Sequence, residues 1–519
     1  MIKGITERSA AMLTIYIAVY TVVFTLFSLL RYENFYTSNW DLGINMQELW
    51  TTTHGKLLWD SADYESAAVV SHLEVHTTYI ALLFAIPYEL LPSPVFLFTV
   101  QSFMISLTTV PLYLISRNYS NDMKKSIAIA FIFPLLFPVI ASEMFDYHWM
   151  SFIPFYFFSL YYFVMKKRYC SSAALIALGA VTEEVFPFLA ASLLLYFFLM
   201  DFNLGKKIRD LFSRTNAPLI ALGIFSVALY ISLNEIQFHL IPVILDNTNA
   251  VPYMYEYFQH PLLPDSFHIG KIILGLAYWI VIYASVGFLG VLRLRHLIIA
   301  APWMYYTFFV DPLYLDLGGQ YNLIAVLGPF IGLLLYLSTR RVSTTVEKVH
   351  KGNGIRGAAR KTTVVGIILI LLAVNIAASP IDPAFSGKML GGGYDFSYGV
   401  NPAYHDMGRL VSLIPQGSFI IATTFLFPYV ANDVNAFSFL GSTNYTLSSF
   451  AGKVEVGNQS LPQFVLYNTY AIQNIPANFL TTVNSDYGVL AEVYMSGYPG
   501  NILLLELHYN GAMQFTANA

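Results

Sequence analysis

The sequence predicts an all-α polytopic membrane bundle of about eleven helices, followed by a small α/β domain. Three observations predict it. Charged residues make up only 11% of the 519-residue chain and hydrophobic residues 56%, with a mean hydropathy of +0.58, whereas soluble domains carry about 25% charged residues. Apolar blocks of membrane-spanning length recur between short charged or Gly/Pro-rich stretches. From Pro380 onward the pattern changes to short β-rich runs.

At the start of the chain, Lys3 and Arg8 precede an apolar stretch over 10–30. It is too long for a signal-peptide core, and no small-residue cleavage site follows, so it reads as a retained first helix. Five more basic clusters come next: Arg117/Lys124/Lys125, Lys166/Lys167/Arg168, Lys206/Lys207/Arg209/Arg214, Arg293/Arg295, and residues 340–361. Basic residues mark cytoplasmic loops, so the apolar sequence between clusters must go out and come back. The resulting helices cover 10–30, 94–116, 125–141, 149–165, 171–183, 186–200, 217–235, 271–292, 297–310, 321–338 and 362–379. Those over 171–183 and 186–200 are too short to span alone and read as a hairpin turning within the membrane at Glu183 and Glu184. Only six of the 27 Lys and Arg residues fall outside: Arg31, Lys56, Lys271, Lys388, Arg409 and Lys453. This multi-pass arrangement puts the N-terminus in the cytoplasm and the C-terminal domain outside the cell membrane.

Two domains follow, a membrane domain over 1–379 and an extracytoplasmic α/β domain over 380–519. The first outer segment covers about 31–93. Its later part, 76–90, carries Pro87 and reads as a helix lying on the membrane. A second outer segment, 236–270, is aromatic, with Tyr253, Tyr255, Tyr257 and Phe258 around Glu256. In the tail, strands are expected over 418–423, 436–440, 463–467, 488–494 and 502–507, and a helix over 403–414. Asn444 and Asn458 begin glycosylation sequons, a pattern common by chance. The single cysteine, Cys170, excludes an intrachain disulfide and a cysteine metal site, so the tail is expected to stand on its own hydrophobic core. No nucleic-acid partner is expected.

Ionisable residues at membrane depth are costly and usually functional, and four groups of them gather at the outer face. Asp41 follows the first span on a Trp-rich segment running through Gln47, Glu48 and Trp50 to His54. It reads either as a general base or as the N-cap of the next helix; spacing alone favours the cap. His72 and His76, four apart, share a helix face and can hold a metal, although Glu74 between them is not in the metalloprotease position and hydrogen bonding to loop backbone is the commoner role. Asp146 and His148 occupy a tight turn, where such pairs often bond only locally. Glu183 and Glu184 are adjacent carboxylates at membrane depth, an arrangement with few bland explanations, as a ligand contact or with one of the pair protonated.

At these places the chain resembles a prokaryotic membrane-protein family, the domain-of-unknown-function family twenty seventy-nine. The matching residues are Trp40-Asp41-Leu42-Gly43-Ile44 with Gln47, Leu49, Trp50, His54 and Gly55; His76; Asp146-Tyr147-His148; Glu183-Glu184-Val185; and the tail patterns over 418–432 and 487–489. The chain departs at Gln320-Tyr321, where histidine-tyrosine is expected, and at Thr77-Thr78. The family is similar in layout to GT-C glycosyltransferases. That resemblance implies a catalytic Asp in the first outer loop, here Asp41, and a polyprenyl-phosphate-linked sugar donor. It implies a glycan, protein or lipid acceptor outside the membrane. A leaving lipid phosphate needs a cation or metal. Lys271 is the first candidate and Lys56 the second; Arg31 ends the first helix, where it can serve simply as an anchor. His72, His76, Asp146 and His148 are the candidate ligands of a divalent ion. Gln47, His54, Tyr255, Gln320 and Tyr321 are the expected substrate contacts. The rival expectation is a non-catalytic lipid- or saccharide-binding protein, or a transporter; a transporter should show repeated halves, and no internal repeat is visible.

Overall fold

The computed structural model describes residues 6–120, 122–200, 216–247, 269–309, 315–338, 355–386, 392–439, 461–469, 477–495 and 500–518. Tyr255, the basic loops around 206–214 and 340–354, and both sequons lie outside these residues.

The first helix, Glu7–Glu33, starts at a capping box in which Thr6 and Ser9 each satisfy the other's backbone N–H. It exposes Ile15, Val19, Val22 and Leu26 on one side and buries Leu13, Tyr20 and Phe24 on the other. Exposed apolar faces recur on Ala217–Glu235 (Ile224, Val227, Ile231), Ile269–Ser285 (Ile273, Leu274, Ile280) and Ile355–Ala377 (Leu369, Ile370, Val374). Water would penalise such continuous surface, whereas lipid accepts it. The chain is thus a membrane protein with several apolar helices.

The count of about eleven spanning helices is not supported. Among the described residues, Glu7–Glu33, Pro94–Tyr119 and Ala217–Ile244 are long and apolar enough to cross, and two bent pairs raise the number to five. The pair Met123–Leu135 and Phe137–Glu143 bends by 52°, where Pro134 and Pro138 each remove a backbone donor. Ile269–Ser285 and Leu289–Phe309 bend by 109° at Gly287, whose φ of +60° suits glycine. Further apolar helices, including Trp149–Met165, Tyr169–Ala180, Phe186–Met200 and Asn322–Ser338, are shorter. Helix Ala81–Leu90, expected to lie on the membrane, buries Ala81, Ala85 and Tyr88 and exposes Leu83, Ile86 and Leu90.

The tail forms one six-stranded mixed sheet in the order β2-β1-β3-β5-β4-β6, from β1 (Ile420–Thr423), β2 (Ala436–Phe439), β3 (Phe464–Asn468), β4 (Tyr487–Tyr494), β5 (Asn501–Leu507) and β6 (Phe515–Asn518). β1 runs parallel to β2 and β3, whereas β5 is antiparallel to β3 and β4. Helix Pro402–Val411 starts at an Asn401 cap and buries Ala403, Met407 and Leu410. Strand β6 and helix Ala477–Asp486 are additions to the sequence expectation.

The sheet does not stand on its own residues alone. Its one face, Phe419, Ile421, Phe437, Phe439, Val465 and Leu505, closes around Trp59 from the first long loop. Gln47 is fully buried and donates to the carbonyls of Asp433 (3.0 Å) and Ala436 (2.7 Å). The Ser438 N–H of edge strand β2 donates to Ser61 Oγ at 3.1 Å, so the loop covers that edge. Loop and sheet therefore pack together as one body.

Candidate functional site

Asp41 lies in a π-helical turn, Asn39–Gly43, that runs into the helix Ile44–Thr53. The helix has no side-chain cap, so the capping role is not taken up. Asn45 Nδ2 donates to the Asp41 carbonyl at 2.7 Å, fixing the turn by its backbone. Among the described residues nothing hydrogen-bonds the half-buried Asp41 carboxylate. Burial and the nearby Asp146 carboxylate hold it well above the usual carboxylate range, with Arg31 opposing. Gly43 completes the turn because a Cβ there would lie 2.6 Å from the Phe427 ring of the tail.

Arg31 and Asp146 build the frame beneath Asp41. The Arg31 guanidinium is 2% exposed. It donates to the carbonyls of Tyr36, Gly392 and Asp395, each at 2.8 Å, and to that of Met144. It also pairs with Asp146 at 3.3 Å. The other Asp146 oxygen accepts from the Ser38 backbone (2.9 Å) and hydroxyl (3.1 Å). Burial lifts the Asp146 carboxyl to about 6, against the pull of Arg31 and Ser38. These bonds fix the segment that carries Asp41 and use five acceptors around one guanidinium.

The short helical hairpin, Tyr169–Ala180 and Phe186–Met200, brings its tip to the same end of the bundle. His76 Nδ1 lies 2.9 Å from Glu184 Oε1. Thr77 Oγ1 donates to the Ala180 carbonyl at 3.0 Å, and the Ile80 N–H to the Val181 carbonyl at 3.0 Å. Asp41, Glu183 and Glu184 all act electrostatically on Tyr321, which stacks on Trp303. Asp41, Asp146, His76, Glu183, Glu184 and Tyr321 therefore converge, with Gln320 half-buried beside them in sequence.

A second group adjoins His76. Asp60 caps the helix Ser61–Ala67, with Oδ1 accepting from the Asp63 N–H at 2.8 Å. His72 Nδ1 lies 2.7 Å from Asp63 Oδ2 and 3.7 Å from Asp60 Oδ2, and its ring centre is 5.0 Å from that of His76. The donor atoms of Asp60, Asp63 and His72 all lie within 4.8 Å of one another. Fully buried Glu48 faces them and accepts from Trp149 Nε1 at 3.2 Å. Burial pushes the Glu48 carboxyl up to about 7, and burial with Asp63 alongside does the same to Asp60. Burial opposes charge on His72, yet Glu48, Asp60 and Asp63 together hold it well above the ordinary imidazole range.

The other expected site residues lie elsewhere. Gln47 is committed to the sheet, as described. His54 stacks on Trp50, 4.1 Å between ring centres, in an exposed helix end. Lys56 sits 3.9 Å over the Trp59 ring. Lys271 is half-exposed in the first turn of Ile269–Ser285. His148 is buried without a ring hydrogen bond among the described residues, and burial drives it down to about 3 and keeps it neutral. Of the four expected metal ligands only His72 joins a group at ligand spacing; Asp60, Asp63 and the adjoining Glu48 were not anticipated. The one local signal for them was an Asp-x-x-Asp helix start, Asp60 to Asp63, twelve residues before His72.

No match is found among curated proteins. A family model described as a predicted membrane protein matches residues 31–489, a stretch that holds the Asp41 turn, both carboxylate groups, the hairpin and the first three strands of the sheet. The chain therefore belongs to the DUF2079 family of predicted membrane proteins.

Proposed function

We propose that this chain is a GT-C-type membrane glycosyltransferase that moves a sugar from a polyprenyl-phosphate-linked donor to an acceptor on the outer face of the membrane, with Asp41 as the base. One observation carries the reading. Asp41 is held by its backbone, carries a carboxylate that no described residue hydrogen-bonds, and converges with Glu183, Glu184 and His76 at one end of an apolar bundle. A carboxylate used for structure would be bonded, as Asp146 is. The basic-residue asymmetry of the loops supports an outward-facing site.

In the proposed reaction Asp41 takes the proton of the acceptor hydroxyl, and the acceptor oxygen attacks the anomeric carbon opposite the phosphate. The carbon–oxygen bond to the phosphate breaks, and the polyprenyl phosphate leaves with the electron pair, inverting the sugar. A base whose pKa is lifted towards the working pH is a stronger proton acceptor than an ordinary carboxylate and is still ionised above that value. Lys271 remains the first candidate for the donor phosphate, since Lys56 already lies on Trp59.

The test is transfer from radiolabelled polyprenyl-phosphate sugars by reconstituted wild type and Asp41→Asn. A lost base costs roughly 100-fold or more, while donor retention stays unchanged. Wild-type transfer by the variant removes Asp41 from the chemistry. Retention of the donor without transfer by wild type, across the sugar panel, favours the non-catalytic binding protein instead.

A further inference from the structure

We infer that Asp60, Asp63 and His72, with Glu48 beside them, form a binding site for one first-row divalent cation of the manganese or zinc class. The inference is independent of the transferase reading, and its test needs no activity.

The geometry comes first. Two ligands each about 2.1 Å from a metal sit roughly 3 to 3.5 Å apart. His72 Nδ1 lies 2.7 Å from Asp63 Oδ2 and 3.7 Å from Asp60 Oδ2, so small side-chain shifts place a metal between all three. They come from the first turn of one helix and the single turn His72–Glu74, both at the end of the bundle that carries Asp41.

The second observation is a buried donor left unused. Glu48 is fully buried, faces His72, Asp60 and Asp63, and spends Oε1 on Trp149. No described residue hydrogen-bonds its Oε2, nor Oδ2 of Asp60, itself 2% exposed. No lysine or arginine among the described residues pairs with Glu48 or Asp60. A buried carboxylate oxygen without a partner costs free energy. A divalent cation held among Asp60, Asp63 and His72 meets the Asp60 oxygen and sets positive charge beside the unpaired Glu48 carboxylate.

The donor set selects the metal. An imidazole nitrogen suits zinc, iron, nickel or copper, and carboxylates suit manganese, magnesium or calcium. One nitrogen among several oxygens suits manganese and zinc, and disfavours calcium and magnesium, which prefer all-oxygen sites. His76, whose ring adjoins His72 and whose Nδ1 meets Glu184, ties the cluster to the hairpin tip.

The test uses the full chain, purified in detergent without a polyhistidine tag and stripped with a chelator. Mn²⁺ binding is followed by electron paramagnetic resonance, and Zn²⁺ by elemental analysis after desalting. One equivalent is expected on wild type. Asp60→Asn keeps a helix-capping side chain and should weaken Mn²⁺ at least tenfold, as should Glu48→Gln, whose amide oxygen still accepts from Trp149. Glu89→Gln, an exposed carboxylate outside the cluster, should change nothing. Failure of wild type to hold an equivalent of either metal overturns the site, as does unchanged binding by both Asp60→Asn and Glu48→Gln. Equal or tighter binding of Mg²⁺ or Ca²⁺ overturns the assignment of His72 as a ligand.

Discussion

Arg31→Lys separates a structural arginine from a substrate-binding one. The guanidinium meets five acceptors: the carbonyls of Tyr36, Met144, Gly392 and Asp395, and the Asp146 carboxylate. A lysine ammonium has three hydrogens, so at least two acceptors lose their partner. Each hydrogen bond to a charged donor is worth about 1.5–3 kcal/mol, which puts the loss at about 3–6 kcal/mol. Arg31→Met goes further and strands Asp146, a change that costs about 3–5 kcal/mol for a buried pair. Adding Asp146→Asn should then recover part of the loss, because the unpaired charge goes while the amide oxygen still accepts from Ser38. Equilibrium unfolding in mild detergent measures the stabilities, and hydrogen exchange over 34–43 reports whether the Asp41 segment loosens first. If Arg31→Lys is within about 0.5 kcal/mol of wild type, well below the cost of one such bond, the clasp is not holding the segment. Loss of donor binding at unchanged stability would return Arg31 to the substrate site.

Gly43→Ala puts a methyl group 2.6 Å from the Phe427 ring; overpacking of this kind costs about 1–3 kcal/mol, and Phe427→Leu should relieve it in the same unfolding assay. Asp41 faces Asp146, Arg31 and Tyr321, and its raised pKa gives two signs to check. Its contribution to stability is full below the unfolded-state pKa and is lost as pH rises through the folded one, so Asp41→Asn should be more stable than wild type at neutral pH. The acid limb of kcat/KM should lie above the ordinary carboxylate range; a limb inside that range would place the base elsewhere. Cysteines at Ser213 and Ser343 should be shielded from impermeant thiol reagents in intact cells, and one at Ser442 labelled; labelling at Ser343 would overturn the sidedness drawn from basic residues.

Much of the fold was legible because burial in lipid or in a sheet writes itself into short windows of sequence. The apolar runs over 149–165 and 186–200 return as Trp149–Met165 and Phe186–Met200. The run over 502–507 returns within β5. Span number was not legible, because hydropathy is blind to a chain that stays apolar while turning, as it does at Pro134, Pro138 and Gly287. The convergence of the Asp41, His76 and Glu184 motifs could be asked of the sequence but not answered by it. Arg31 read as an anchor because its partners are far away in sequence, with Asp146 115 positions on and Asp395 364. Asp60, Asp63 and Glu48 were passed over for a related reason. The first two lie in the first outer segment and Glu48 in the Asp41 segment, with no spacing that links them; only the fold sets all three against His72.

The grip of Trp59 on the C-terminal sheet also sets a timetable. Trp59 leaves the ribosome early, yet the last buried member of its cluster, Leu505, follows 446 residues later. At roughly 5–20 residues per second, synthesis alone separates the two by about 20–90 s. Until β2 has been made, Trp59, Gln47 and the Ser61 hydroxyl have no strand to dock on, and the loop that carries Asp41 and the carboxylate–histidine cluster is unfinished until the sheet is complete. Each newly made copy must therefore complete its membrane helices before its functional end can close.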